Sequence, residues 1–326
     1  MFRMFVLLAT AFLPLAGMAQ TCGTADLIEE LSDADRARLD ALVAPHPYPE
    51  GNIWRAERNG KTVTVVGTIH LPDPRLQGIV DQVKPDLLNA DLLIIEASAE
   101  DEASIQTLAA NQPEMFFITE GPTLIDLLSE DEWAKVTDRL AVLGMPGFLA
   151  AKFQPWYLSM TLAIPPCAMS AIQSGAKGLD RQLEVIANEA GLPIATLDDT
   201  EAVLRLFADE PVDKQLDGLR IALETQADAD ASTSTLIEAY FDGRVRESWE
   251  YGRIMVEASG IENGAELFED VNQSLLVGRN EDWEPKIVEL IAGKNAMIAV
   301  GAAHLSGESG VLRSLERAGY SLSRLE

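Results

Sequence analysis

Residues 52–98 read NIWRAERNGKTVTVVGTIHLPDPRLQGIVDQVKPDLLNADLLIIEAS, and this stretch decides the fold. Asn59 and Gly60 separate two runs suited to strands. Both residues tolerate the positive φ of a type I′ turn, so a β-hairpin is predicted. The apolar run at 63–66 closes on a Gly-x-x-His motif, Gly67 to His70. A proline-containing loop and a helical pattern follow, and then 91–98 reads as a short buried strand that delivers Glu96 at its C-terminal end. Strand, helix, strand within about 35 residues is the repeating unit of an α/β layer. Functional groups in such sheets collect outside the carboxyl ends of the strands. His70 and Glu96 are therefore expected at one crevice, on strands lying side by side.

The end of the chain repeats this logic. MIAVGAAH at 297–304 is a second apolar run closed by Gly-x-x-His (Gly301, His304), and the two motifs use two of the three histidines in 326 residues. Glycine at a strand end permits a sharp turn and close backbone approach, and a histidine three residues on projects above the sheet. The predicted fold class is mixed α/β: a central sheet with flanking helices and a largely helical insertion, about 100–290, over the site. Within that middle region LPIATLDD, 192–199, looks like another buried strand. Residues 23–43 carry apolar positions at helical spacing, and His46, among prolines, is expected in a surface loop.

The first residues pair Arg3 with an apolar run from Phe5 to Leu15 and small residues Gly17 and Ala19. That is the layout of a signal peptide spanning 1–19, leaving one domain over 20–326 in a periplasmic or secreted protein with no stable membrane insertion after cleavage. Export makes the two cysteines, Cys22 and Cys167, a disulfide candidate, with two unpaired thiols as the alternative. The formal net charge of -27 repels nucleic acid and anionic surfaces, so a nucleic-acid partner is not expected.

Two histidines and a carboxylate form a common divalent-metal set, with manganese, cobalt and zinc each suited to it. His70, His304 and Glu96 are the candidate ligands. A metal held there would lower the pKa of a bound water and polarise a carbonyl, which is hydrolytic chemistry on a peptide or small-molecule substrate. None of the compact metal spacings occurs, so ligands would have to converge from distant segments. No G-x-S-x-G elbow and no Walker-type loop is present, which leaves little for a serine nucleophile or a phosphate cradle.

These residues resemble a known family. VGTIHLPDPRLQGIV, LLIIEAS, GLDRQLEVIANEAGLPIATLDDTE, LVGRNEDWEPKIVELI and VGAAHLSGESGVLRSLERAGYSLSRL are similar, in order, to the TraB/GumN family, related to the animal Tiki proteins. The resemblance implies a fold shared with erythromycin-esterase-like and ChaN-like proteins and a site at the paired Gly-x-x-His motifs plus a glutamate. Tiki relatives are described as metal-dependent proteases. By position, His70 and His304 would be metal or catalytic residues, Glu96 a ligand or general base, and Arg279 and Asn280 would line the site, the guanidinium facing a developing oxyanion. TLDD departs from the family pattern, so no role passes to Asp198. Asp180 matches, either as a helix cap or as a functional residue. The function so implied is an exported metal-dependent hydrolase of peptide or amide bonds. Its alternative is a periplasmic protein that binds or sequesters a peptide, haem or glycan fragment without catalysis.

Overall fold

The computed structural model describes residues 22–225, 229–261 and 263–325; the expected signal peptide lies outside them. Asn59 and Gly60 both adopt positive φ, 52° and 74°, and join β1 (Ile53–Arg58) to β2 (Lys61–Thr68) as an antiparallel hairpin. β2 then pairs in parallel with β5 (Ala296–Gly301), β5 with β3 (Leu92–Ile95), and β3 with β4 (Ile194–Thr196). β6 (Ser321–Arg324) closes the other edge against β1, giving the order β4-β3-β5-β2-β1-β6. β3 is therefore not beside β2 as expected from the sequence, because β5, which arrives about 200 residues later, takes the place between them. The two histidine motifs become neighbours for that reason: Gly67 lies opposite Val300, and Thr68 opposite Gly301.

Continuous apolar runs suit central strands because both faces of this sheet are covered. Val63, Val65, Ile94, Ile298 and Val300 face the helices Gly278–Leu290 and Val311–Arg317. The alternate residues Val66, Leu93, Ile95, Met297 and Ala299 face the helices Leu76–Leu88 and Leu179–Ala190. Separate apolar clusters hold the helical middle of the chain, one around Leu140, Leu158 and Leu219 and another around Phe116 and Trp156. The Leu179–Ala190 helix and β4 come from the same stretch of sequence but belong to the sheet layers.

Three local expectations are corrected. The helix expected over 23–43 covers only Asp33–Val43, because Ser32 caps it by accepting from the Asp35 amide; the preceding residues form a turn. The strand expected at 192–199 shrinks to three residues at the sheet edge and is not buried. His46 is no free surface residue: its Nε2 lies 2.7 Å from Arg246 and 3.5 Å from the buried Glu250. Cys22 and Cys167 are joined in a disulfide, which ties the beginning of the described chain to the helical middle. No helix among the described residues is long and apolar enough to cross a membrane.

Candidate active site

Four parallel strands end at one edge of the sheet, and the residues just beyond them converge. Neither Gly67 nor Gly301 needs a left-handed backbone. Both serve close approach. A Cβ on Gly67 would stand 2.9 Å from the Ala302 Cα and from the Leu305 side chain, so β2 could not lie against the turn that carries His304. A Cβ on Gly301 would stand 3.1 Å from Glu96 Oε1, the oxygen to which the Gly301 amide donates at 2.6 Å. The glycines of the motif thus seat its neighbours and do not bend its chain.

His304 is 4% exposed. Its Nδ1 lies 2.8 Å from the Asn280 amide oxygen, which accepts and so fixes the proton on Nδ1. The lone pair of Nε2 then faces the Arg279 guanidinium at 3.1 Å. The Trp283 ring packs on the imidazole with centroids 4.4 Å apart. Burial pushes His304 down to about 4; Glu96 opposes this and Arg279 and His70 reinforce it. His304 is therefore neutral at pH 7. Burial alone would raise Glu96, but His304, Arg279, the Gly301 amide and His70 outweigh it and hold the carboxyl at about 2. Glu96 is ionised.

Arg279, Asn280 and Trp283 share one helix face because three or four residues make one turn. A π turn, Gln273–Val277, leads into that helix, as often occurs at functional sites. Arg279 spends all five of its N–H groups. NH1 donates to the Leu275 carbonyl at 3.3 Å and to His304 Nε2 at 3.1 Å. NH2 donates to Glu96 Oε2 and to Asp198 Oδ2, each at 2.5 Å, and Nε to Asp198 Oδ1 at 3.4 Å. The Trp283 indole donates 2.8 Å to that Asp198 oxygen while its ring lies 4.8 Å from the guanidinium carbon. The oxyanion role expected of Arg279 is thus not open to it here, since no N–H is left to donate.

His70 differs. Its side chain is 69% exposed, and its Nδ1 lies 3.3 Å from Asp180 Oδ1. The Leu179 amide donates 2.9 Å to the Ile69 carbonyl, and a Cβ on Gly178 would stand 2.4 Å from the His70 carbonyl oxygen. Glycine at 178 lets the helix start dock on the histidine backbone, with Asp180 beside the ring. Gly178, not Asp180, occupies the N-cap position. The ring contact at 3.3 Å is not a hydrogen bond in this arrangement, and Asp180 Oδ1 is buried without one among the described residues. Asp180 raises the proton affinity of His70; burial opposes this, and Glu96 and Glu102 add to the rise.

Sequence alone assigned no role to Asp198 or Trp283, although TLDD ends a strand at the same edge and the tryptophan lies one turn from Arg279. All the expected site residues lie at this edge. Among the described residues, however, no group of three or more His, Cys, Asp or Glu is placed to hold a metal ion. The donor chemistry agrees: Arg279 already engages Glu96 Oε2 and the lone pair of His304, and Asp180 engages His70. As arranged, these residues do not fit a divalent ion. What they offer is an ionised carboxylate, a buried neutral imidazole and an exposed imidazole backed by a carboxylate.

No curated protein matches the chain. A family comparison matches residues 52–324, from the start of the hairpin to the last strand. This chain belongs to the TraB/PrgY/gumN family.

Proposed function

We propose that the protein is an exported hydrolase of peptide or amide bonds in which His70, oriented by Asp180, activates water. The observation that carries this reading is the Nδ1 of His70 set 3.3 Å from a carboxylate, with the ring open to solvent. A neighbouring carboxylate fixes the tautomer, making Nε2 the base. Nε2 takes a proton from water as the water oxygen bonds to the carbonyl carbon. The same proton then passes to the leaving nitrogen as the C–N bond breaks, giving a carboxylic acid and an amine. His304 and Glu96 are held in place beside His70 by Asn280 and Arg279.

One observation favours the second reading, a crevice that binds a peptide or glycan fragment without cleaving it: the Arg279 guanidinium has no N–H free for an oxyanion. The deciding experiment incubates the mature protein with a defined peptide library in water enriched in ¹⁸O and follows the products by mass spectrometry. New carboxyl termini carrying ¹⁸O, lost in His70→Ala, support hydrolysis. Peptides retained on the protein but recovered intact support binding.

A further inference from the structure

We infer that Arg279 is a built-in cation holding the place a divalent ion would take, so that this centre is organised by an arginine and not by a metal. The inference concerns the crevice proposed above but stands whether or not the crevice is catalytic. Two buried carboxylates and a neutral imidazole converge on one point: Glu96 is 15% exposed in its side chain, Asp198 8% and His304 6%. Carboxylates so placed need a positive charge beside them. Oxygen and imidazole nitrogen are donor types that suit a divalent ion. Each of the three instead receives a hydrogen bond from the same guanidinium.

The guanidinium is itself held. Asp198 accepts two N–H groups along one edge, and the Trp283 indole fixes Asp198 from behind while its ring lies against the guanidinium. Lys286 donates 2.8 Å to the Leu197 carbonyl, anchoring the chain next to Asp198. Asp198 and Trp283 are positioning residues: they keep Arg279 where it can serve Glu96 and His304 together. A planar fork with five fixed donors suits this task, and a lysine, with three donors on a flexible stem, does not. A divalent ion would have to displace the arginine from every one of these contacts.

The test measures metal directly. Full-length mature protein is dialysed against chelator, analysed for metal content, and then scanned for thermal unfolding with and without millimolar Mn²⁺, Co²⁺ or Zn²⁺. The wild type is expected to carry far less than one equivalent of metal and to show the same midpoint with and without each ion. Arg279→Ala leaves Glu96, Asp198 and His304 facing one another without a counter-charge. It is expected to gain a Co²⁺-dependent rise in midpoint of several degrees, as mass action requires of a ligand that binds only the native state. The rise should vanish in the Arg279→Ala, His304→Gln double variant. A wild-type chain that retains one equivalent of metal, lost in His304→Gln, overturns the inference, as does a folded Arg279→Ala chain that gains no ion affinity. If Arg279→Ala does not fold, the wild-type metal content alone decides. Because metal content is read without reference to turnover, failure here is distinguishable from failure of the hydrolytic reading.

Discussion

His70 and His304 end neighbouring parallel strands in the same short motif, yet they occupy opposite surroundings. His304 is sealed under Trp283, held by Asn280 and neutral; His70 is open to solvent and charged more readily because Asp180 stands beside it. The motif therefore sets where each imidazole sits, and the neighbours that the fold brings to it set what it can do. One histidine is locked among its neighbours and the other is open to solvent.

The contrast can be broken most severely at His70. His70→Ala is expected to lower kcat/KM on any peptide substrate by about 10²- to 10⁴-fold, the usual range for a general base. Its unfolding free energy should stay within about 0.5 kcal/mol of wild type in denaturant titrations, since the side chain is mostly exposed. His304→Ala should do the reverse in stability, losing about 2–4 kcal/mol, because it opens a cavity and leaves Asn280 and Arg279 without their buried partner. Equal stability losses in the two variants would dissolve the division of roles.

Acid should separate them further. The folded-state pKa of His304 lies below its unfolded value, so the unfolded chain binds the proton first and stability falls as pH drops from about 6.5 to about 4. The shift corresponds to about 3 kcal/mol. Glu96, also lowered in the folded state, adds a second loss as pH falls from about 4.5 towards 2. Denaturation curves of His304→Gln should lack the first loss and show a smaller second one, because His304 is itself one of the groups that hold Glu96 low. The smallest expected effect sharpens the His70 side. Asp180→Asn removes the main cause of its raised proton affinity, so the ascending limb of the pH–rate profile should move to lower pH and the rate should fall about 10-fold. An unmoved limb would show that Asp180 acts only on the backbone it docks against.

Much of this was legible in residues 52–98. Asn59 and Gly60 announced the hairpin, and the apolar runs before Gly67 and Gly301 announced strands whose carboxyl ends carry His70 and His304. The insertion of β5 between β2 and β3 was not legible, because strand order depends on packing between segments about 200 residues apart and leaves no local periodicity. The same holds for Asp198. Its role rests on an edge strand of three residues, too short for a pattern, and on a helix about 80 residues further along that supplies Arg279 and Trp283. The two histidines and the glutamate form no metal-holding group among the described residues, for a related reason. Sequence counts donor types but does not show that an arginine already engages Glu96 and His304.

With only three histidines in the chain, each imidazole can be followed separately. Two-dimensional NMR of the imidazole carbons and nitrogens, assigned with His46→Gln, His70→Gln and His304→Gln, follows each ring from pH 8.5 to 4. His70 is expected to titrate above the ordinary value of 6.5, and His304 to stay neutral, protonated at Nδ1, until pH approaches about 4. Coincident titration of His70 and His304 near 6.5 would contradict the contrast between the two rings.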